Sequence, residues 1–125
     1  MLLNRDPSEA YRRIDFDARV KGADSRQLVD LCLEQVAGSL GRAIHAAGLG
    51  DNGGKSAALT RAVAALTALQ IGVDPDAAMG QALLQLYSSA RIAILDSVLA
   101  FDPPKLAQIR QDFIEIREAL VGAAT

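Results

Sequence analysis

Hydrophobic positions in this chain recur at steps of three and four in four separate runs, the spacing of amphipathic helices. Leu28, Leu31, Cys32, Val36, Leu40, Ala43, Ile44 and Ala47 predict a helix over about 25–48, started by Asp24 or Ser25 as N-cap. Leu49-Gly50-Asp51-Asn52-Gly53-Gly54 is a stop and a turn. Leu59, Ala62, Val63, Leu66, Leu69 and Val73 predict a second helix over about 55–72. Val73-Asp74-Pro75-Asp76 ends it, with Asp74 a cap candidate and Pro75 suited to a first helical position. Ala82, Leu83, Leu86, Tyr87, Ala90, Ile94, Val98 and Phe101 predict a third helix over about 75–100. Asp102-Pro103-Pro104 repeats the cap-then-proline start, and a fourth helix over about 103–121 carries the seam Leu106, Ile109, Phe113, Ile116 and Leu120. No run alternates as a strand does.

Helices of this length span roughly 27–38 Å at 1.5 Å per residue. The short connections force antiparallel neighbours. The expected fold class is all-α, an antiparallel up-down-up-down four-helix bundle over residues 24–121. Residues 1–23 differ from it. Their charges are dense and their apolar residues isolated, which predicts a partly ordered N-terminal arm with one helical turn near 8–14. Tyr11, Ile14 and Phe16 are the side chains expected to dock the arm on the body. Residues 122–125 are expected to fray.

Charge is missing where a surface helix needs it. From Ser56 to Val73 the only charged residue is Arg61, and from Ala77 to Phe101 there are only Arg91 and Asp96. A helix this poor in charge is buried or covered by something else, and 125 residues hold little protein to bury two of them. Leu69 and Ile71 on the second helix, Met79, Leu84, Ile92 and Leu95 on the third, and Ile114 and Val121 on the fourth lie toward an edge or off the main stripes. Each could close a corner of the core. Together they point to an open apolar groove, the kind of surface that takes an amphipathic partner helix.

Composition narrows the rest. Two tyrosines, three phenylalanines and no tryptophan leave a core of Leu, Ile, Val and Ala. A net charge of −2 offers no field for nucleic acid. Gln81, Gln85, Ser88, Ser89, Arg91 and Asp96 are too many polar groups for the 77–101 stretch to span a membrane. The start of the chain lacks the basic-then-apolar pattern of a secretory signal, so a cytoplasmic protein is expected.

Chemistry is sparse, and no enzyme, metal or cofactor is expected. Cys32, the single cysteine, sits among Leu28, Leu31 and Val36 and reads as a core residue. The one histidine, His45, opens a second reading: a four-helix signalling or phosphotransfer module with His45 as acceptor. The run His45-Ala46-Ala47-Gly48 lacks the basic neighbour such a site needs. Glu-x-x-His pairs for a bundle metal site do not occur. The 50–56 run lacks the spacing of a phosphate loop.

The order of several short strings resembles the flagellar export chaperone family FliS across nearly the whole chain. They are Ala10-Tyr11; Asp24-Ser25-Arg26-Gln27-Leu28-Val29 at a helix start; Cys32-Leu33-Glu34; Gly50-Asp51 in the turn; Val73-Asp74; Leu86-Tyr87; Ile94-Leu95; and Ile116-Arg117-Glu118-Ala119-Leu120 near the end. The chain departs from the family pattern in lacking the helix-start proline, in Leu33 for a tyrosine and in Leu120 for a tryptophan. The resemblance implies a cytosolic chaperone that holds the disordered C-terminal segment of flagellin, prevents premature polymerisation and aids type III export. It leaves an export-gate component and an anti-sigma factor open as further partners. With the isolated anchors of the arm, it suggests that the arm covers the groove until the client displaces it.

Overall fold

A computed structural model describes residues 7–22 and 24–124, with side chains described except at positions 7, 8, 14, 20 and 121–124. Those residues form five helices: α1 (Pro7–Lys21), α2 (Ser25–Gly48), α3 (Asn52–Ile71), α4 (Gly80–Leu99) and α5 (Pro103–Ala124). No strand occurs among the described residues. The last four helices are the expected antiparallel bundle. α1 lies outside them and is a helix of 15 residues, where the sequence suggested a single turn.

The ends of α2 follow from local chemistry. The Asp24 carboxylate accepts from the Gln27 N–H at 2.9 Å, and the Gln27 side chain accepts from the Asp24 N–H at 3.0 Å. This reciprocal box satisfies two donors that a helix start leaves orphaned. Gly50, at φ 74°, reverses the chain after α2 in the left-handed region that glycine adopts freely. α3 begins earlier than the sequence suggested, running through Gly53-Gly54, because Asp51 caps it by accepting from Gly54 N–H at 2.9 Å.

α4 begins five residues later than expected. Residues 74–79 form turns: Asp74 accepts from the Asp76 N–H at 2.9 Å, and the Gln81 side chain donates to the Pro75 carbonyl at 3.2 Å. Gly80 lies so close beneath this loop that a Cβ there would collide with the Asp74 carbonyl oxygen. Pro75 therefore belongs to a folded-back turn and does not open the helix.

The core is shared unequally. α2 is the central element, packed on α3 and α5. Buried alanines at 37, 43, 58, 62 and 65 let α2 and α3 approach closely. Leu33, Val36, Leu40, Leu66, Ile94, Leu106 and Phe113 fill the centre. α4 packs on α3 and touches α5 only lightly. Across that thin seam the rings of Tyr87 and Phe113 stand 6.1 Å apart, tilted by 36°. The fourth-helix seam is buried at Leu106, Ile109 and Phe113, half-buried at Ile116 and exposed at Leu120.

Candidate functional site

α4 is the edge of the bundle with least protein around it. Tyr87, Ala90, Ile94 and Ser97 face inward and are buried. The opposite face is apolar too. Ile92 is 56% exposed, Leu95 44%, Val98 59% and Leu99 95%. Leu84, Ser88, Ile92, Leu95 and Leu99 follow one another at steps of four, four, three and four, so they form a continuous rail along the helix. α4 is also the one described helix long and apolar enough in composition to cross a membrane, with most of it unburied. Its apolarity is divided between an inner face and an outer one.

The rail widens toward α3. Leu95 and Val98 face Leu59, Thr60 and Val63 across a cavity of about 310 Å³. Lys55 flanks this cavity and holds its ammonium 5.0 Å from the centre of the Phe101 ring. Ile71 and Met79, at the other end where α3 hands over to α4, are 80% and 63% exposed. Of the residues expected on an open apolar surface, Ile71, Met79, Ile92 and Leu95 are exposed and Leu84 is half-buried. Leu69 is not on that surface: it is 4% exposed and belongs to the core, because the inward stripe of α3 continues Leu59, Ala62, Leu66, Leu69. Ile114 is half-buried and packs against the core. The side chain of Val121 lies outside the described residues. The sequence reading missed Val98 and Leu99: Val98 stood on the expected inner stripe, and Leu99 is the last residue of the helix.

The arm is placed by charge. Glu9 lies 3.0 Å from Arg61 Nε and 3.4 Å from Arg12. Gln35, its amide oriented by its neighbours, accepts from Arg61 at 2.7 Å. Phe16 packs against the core with the Arg61 guanidinium 6.0 Å from its ring centre. Arg61, the one charge of α3 beyond Lys55 in its first turn, thus joins α1, α2 and α3. Farther along, Arg19 reaches Glu34 at 3.3 Å, and Arg117 of α5 joins Glu34 at 3.2 Å and Asp30 at 2.6 and 3.0 Å. Tyr11, expected to dock, is 75% exposed, and the side chain of Ile14 lies outside the described residues. α1 packs on α2 and, through Arg61, meets α3, so the described part of the arm leaves the α4 rail open.

Neither single chemistry-bearing residue is set up for catalysis. Cys32 is 3% exposed, and burial pushes its thiol above the usual range, which keeps it protonated. His45 is exposed in the last turn of α2. No cluster of three or more metal-ligating side chains occurs among the described residues.

Residues 7–125 match the family model of the flagellar protein FliS, and the chain belongs to that family. No curated protein matches the sequence.

Proposed function

We propose, from membership of the FliS family and from the α4 rail, that this chain is a cytoplasmic chaperone for flagellin. It binds the disordered C-terminal segment of flagellin, keeps it from polymerising early and presents it for type III export. The family is one of chaperones and not of enzymes, which favours this reading over a signalling module with His45 as phosphoacceptor.

The observation that carries the reading is the outward face of α4. A two-sided apolar helix at the edge of a bundle exposes side chains that a free-standing domain would cover. Ile92, Leu95 and Leu99 repeat at the i, i+3, i+7 spacing by which one helix grips another. Burying apolar surface contributes about 25 cal/mol per Å². The client gives back part of that in ordering. The cavity between Leu59, Val63, Leu95 and Val98 offers a place for one anchoring side chain.

Calorimetric titration of the whole chain with the C-terminal segment of the cognate flagellin tests this. Wild type binds; Ile92→Asp and Leu95→Asp each weaken binding by about tenfold or more, because each sets a charge in an apolar contact. Both positions are exposed, so thermal melting should be unchanged. Binding by both variants at wild-type strength would refute the placement on α4, and no binding by wild type would refute the function.

A further inference from the structure

A second concavity, of different chemistry, lies where α1 meets the turn joining α2 to α3. Its volume is about 650 Å³, the size of a ligand cleft. Arg12 and Arg13 of α1 and Arg42 and His45 of α2 line it, with two carboxylates, Glu9 and Asp51. Both carboxylates have partners, although the enclosed Oε1 of Glu9 is paired by charge alone and accepts no hydrogen bond among the described residues. Asp51 accepts from the Gly54 N–H at 2.9 Å, and Glu9 is held by Arg61 and Arg12. Arg42 spends one Nη on the Ser39 hydroxyl at 3.1 Å, while its enclosed Nε has no hydrogen-bond partner among the described residues. Arg13 has no ion pair among them either. Burial, and then Arg12, make the Arg42 charge costly and hold its pKa below the usual value for arginine, with Glu9 opposing them and Arg61 adding to them. Three guanidiniums, Arg12, Arg13 and Arg42, face two carboxylates in this half-open cleft, and that excess of positive charge favours an incoming anion at the reachable donors of Arg13 and Arg42.

The rest of the lining decides what kind of anion. Ala10, Ala46, Leu49 and Ala57 give the cleft an apolar wall beside the arginines. A free phosphate would leave that wall and most of the volume unfilled. We propose that this cleft binds an acidic polypeptide segment, with carboxylates on Arg42 and Arg13 and an aliphatic neighbour against Ala10 and Leu49. The site does not depend on the α4 rail and stands whether or not flagellin binds there.

The test uses the full, isotope-labelled chain and two blocked tetrapeptides, Leu-Asp-Glu-Leu and its neutral twin Leu-Asn-Gln-Leu, with inorganic phosphate at matched ionic strength as a third probe. The acidic peptide should move the amide resonances of Ala46, Gly53, Gly54 and Ala57. The twin, Arg42→Gln and Arg13→Gln should each weaken binding by about tenfold, the loss of a charge-assisted hydrogen bond. Equal binding of the twin, equal binding of phosphate, shifts confined elsewhere, or unchanged binding by the variants would overturn the proposal. If Arg42→Gln does not fold, the exposed Arg13 decides through Arg13→Gln alone.

Discussion

Arg61 stands with its Nε 3.0 Å from the Glu9 carboxylate, and this contact between the only charge in the body of α3 past Lys55 and the first turns of α1 helps fix where the arm lies. The side chains are 10% and 14% exposed, so the pair is shielded from most solvent. The same guanidinium covers Phe16 and is accepted by Gln35. A residue that looked like an exception in an uncharged helix is the anchor of a neighbouring one.

Arg61→Ala should therefore free α1 and spare the bundle. It removes the cation and leaves the shielded Glu9 carboxylate with Arg12 alone, a loss of about 1–3 kcal/mol in docking. Hydrogen exchange should quicken across 7–21 and stay slow in α2 and α3. Unchanged protection of α1 would show that Phe16 and the Arg19–Glu34 pair hold it without Arg61.

Asp30 sets a pH dependence. Its hydrogen bond to Arg117 holds the carboxyl below the usual carboxylate range, with burial working the other way. A carboxyl with a depressed folded pKa stabilises above its unfolded value, about 4, and loses that contribution as the pH falls through the folded value. Both side chains are more than a third exposed in the pair or close to it (34% and 39%), so screening holds the contribution to about 1 kcal/mol or less. Asp30→Asn should melt lower than wild type at neutral pH, and the two should converge as the pH drops below about 4. Added salt should narrow the difference. Parallel curves across that range would sink the assignment.

Gly80→Ala should destabilise the chain by about 1–3 kcal/mol, the usual range for overpacking. The new methyl would meet backbone, the Asp74 carbonyl and Pro75, which cannot swing aside as a side chain can. Gly54→Ala is the contrasting case, since the group in its way is the Asp51 side chain. Thermal melts of the two variants compare them, and an unshifted melt for Gly80→Ala would mean the 74–79 loop moves freely.

Much of this fold could be read from the chain. α2 was legible to the residue, because Asp24 and Gln27 form a local box and the apolar period is long. α3 was misjudged at its start, since Gly53-Gly54 reads as a turn unless Asp51 is seen to cap it. α4 was misjudged because Pro75 has a good local reason to open a helix, and only the fold-back over Gly80 denies it. α1 was undervalued because its supports, Arg61, Glu34 and the core beneath Phe16, lie far away in sequence. Of the candidate surface, the exposure of Ile92 and Leu95 could be expected from their place off the inner stripe of the helix, while Leu69 is buried in the core and Ile71 lies outside.

By itself the sequence determined that four helices form, where most of them stop, and that there are more apolar positions than a small bundle can bury, since periodicity and caps act within a few residues of chain. Only the tertiary structure decided which apolar face stays outside, that α4 meets α5 only lightly, and that an arm lies across α2 and α3. Those outcomes depend on packing and charge pairing between distant residues, such as Arg117 with Asp30 and Arg61 with Glu9, which no local pattern records.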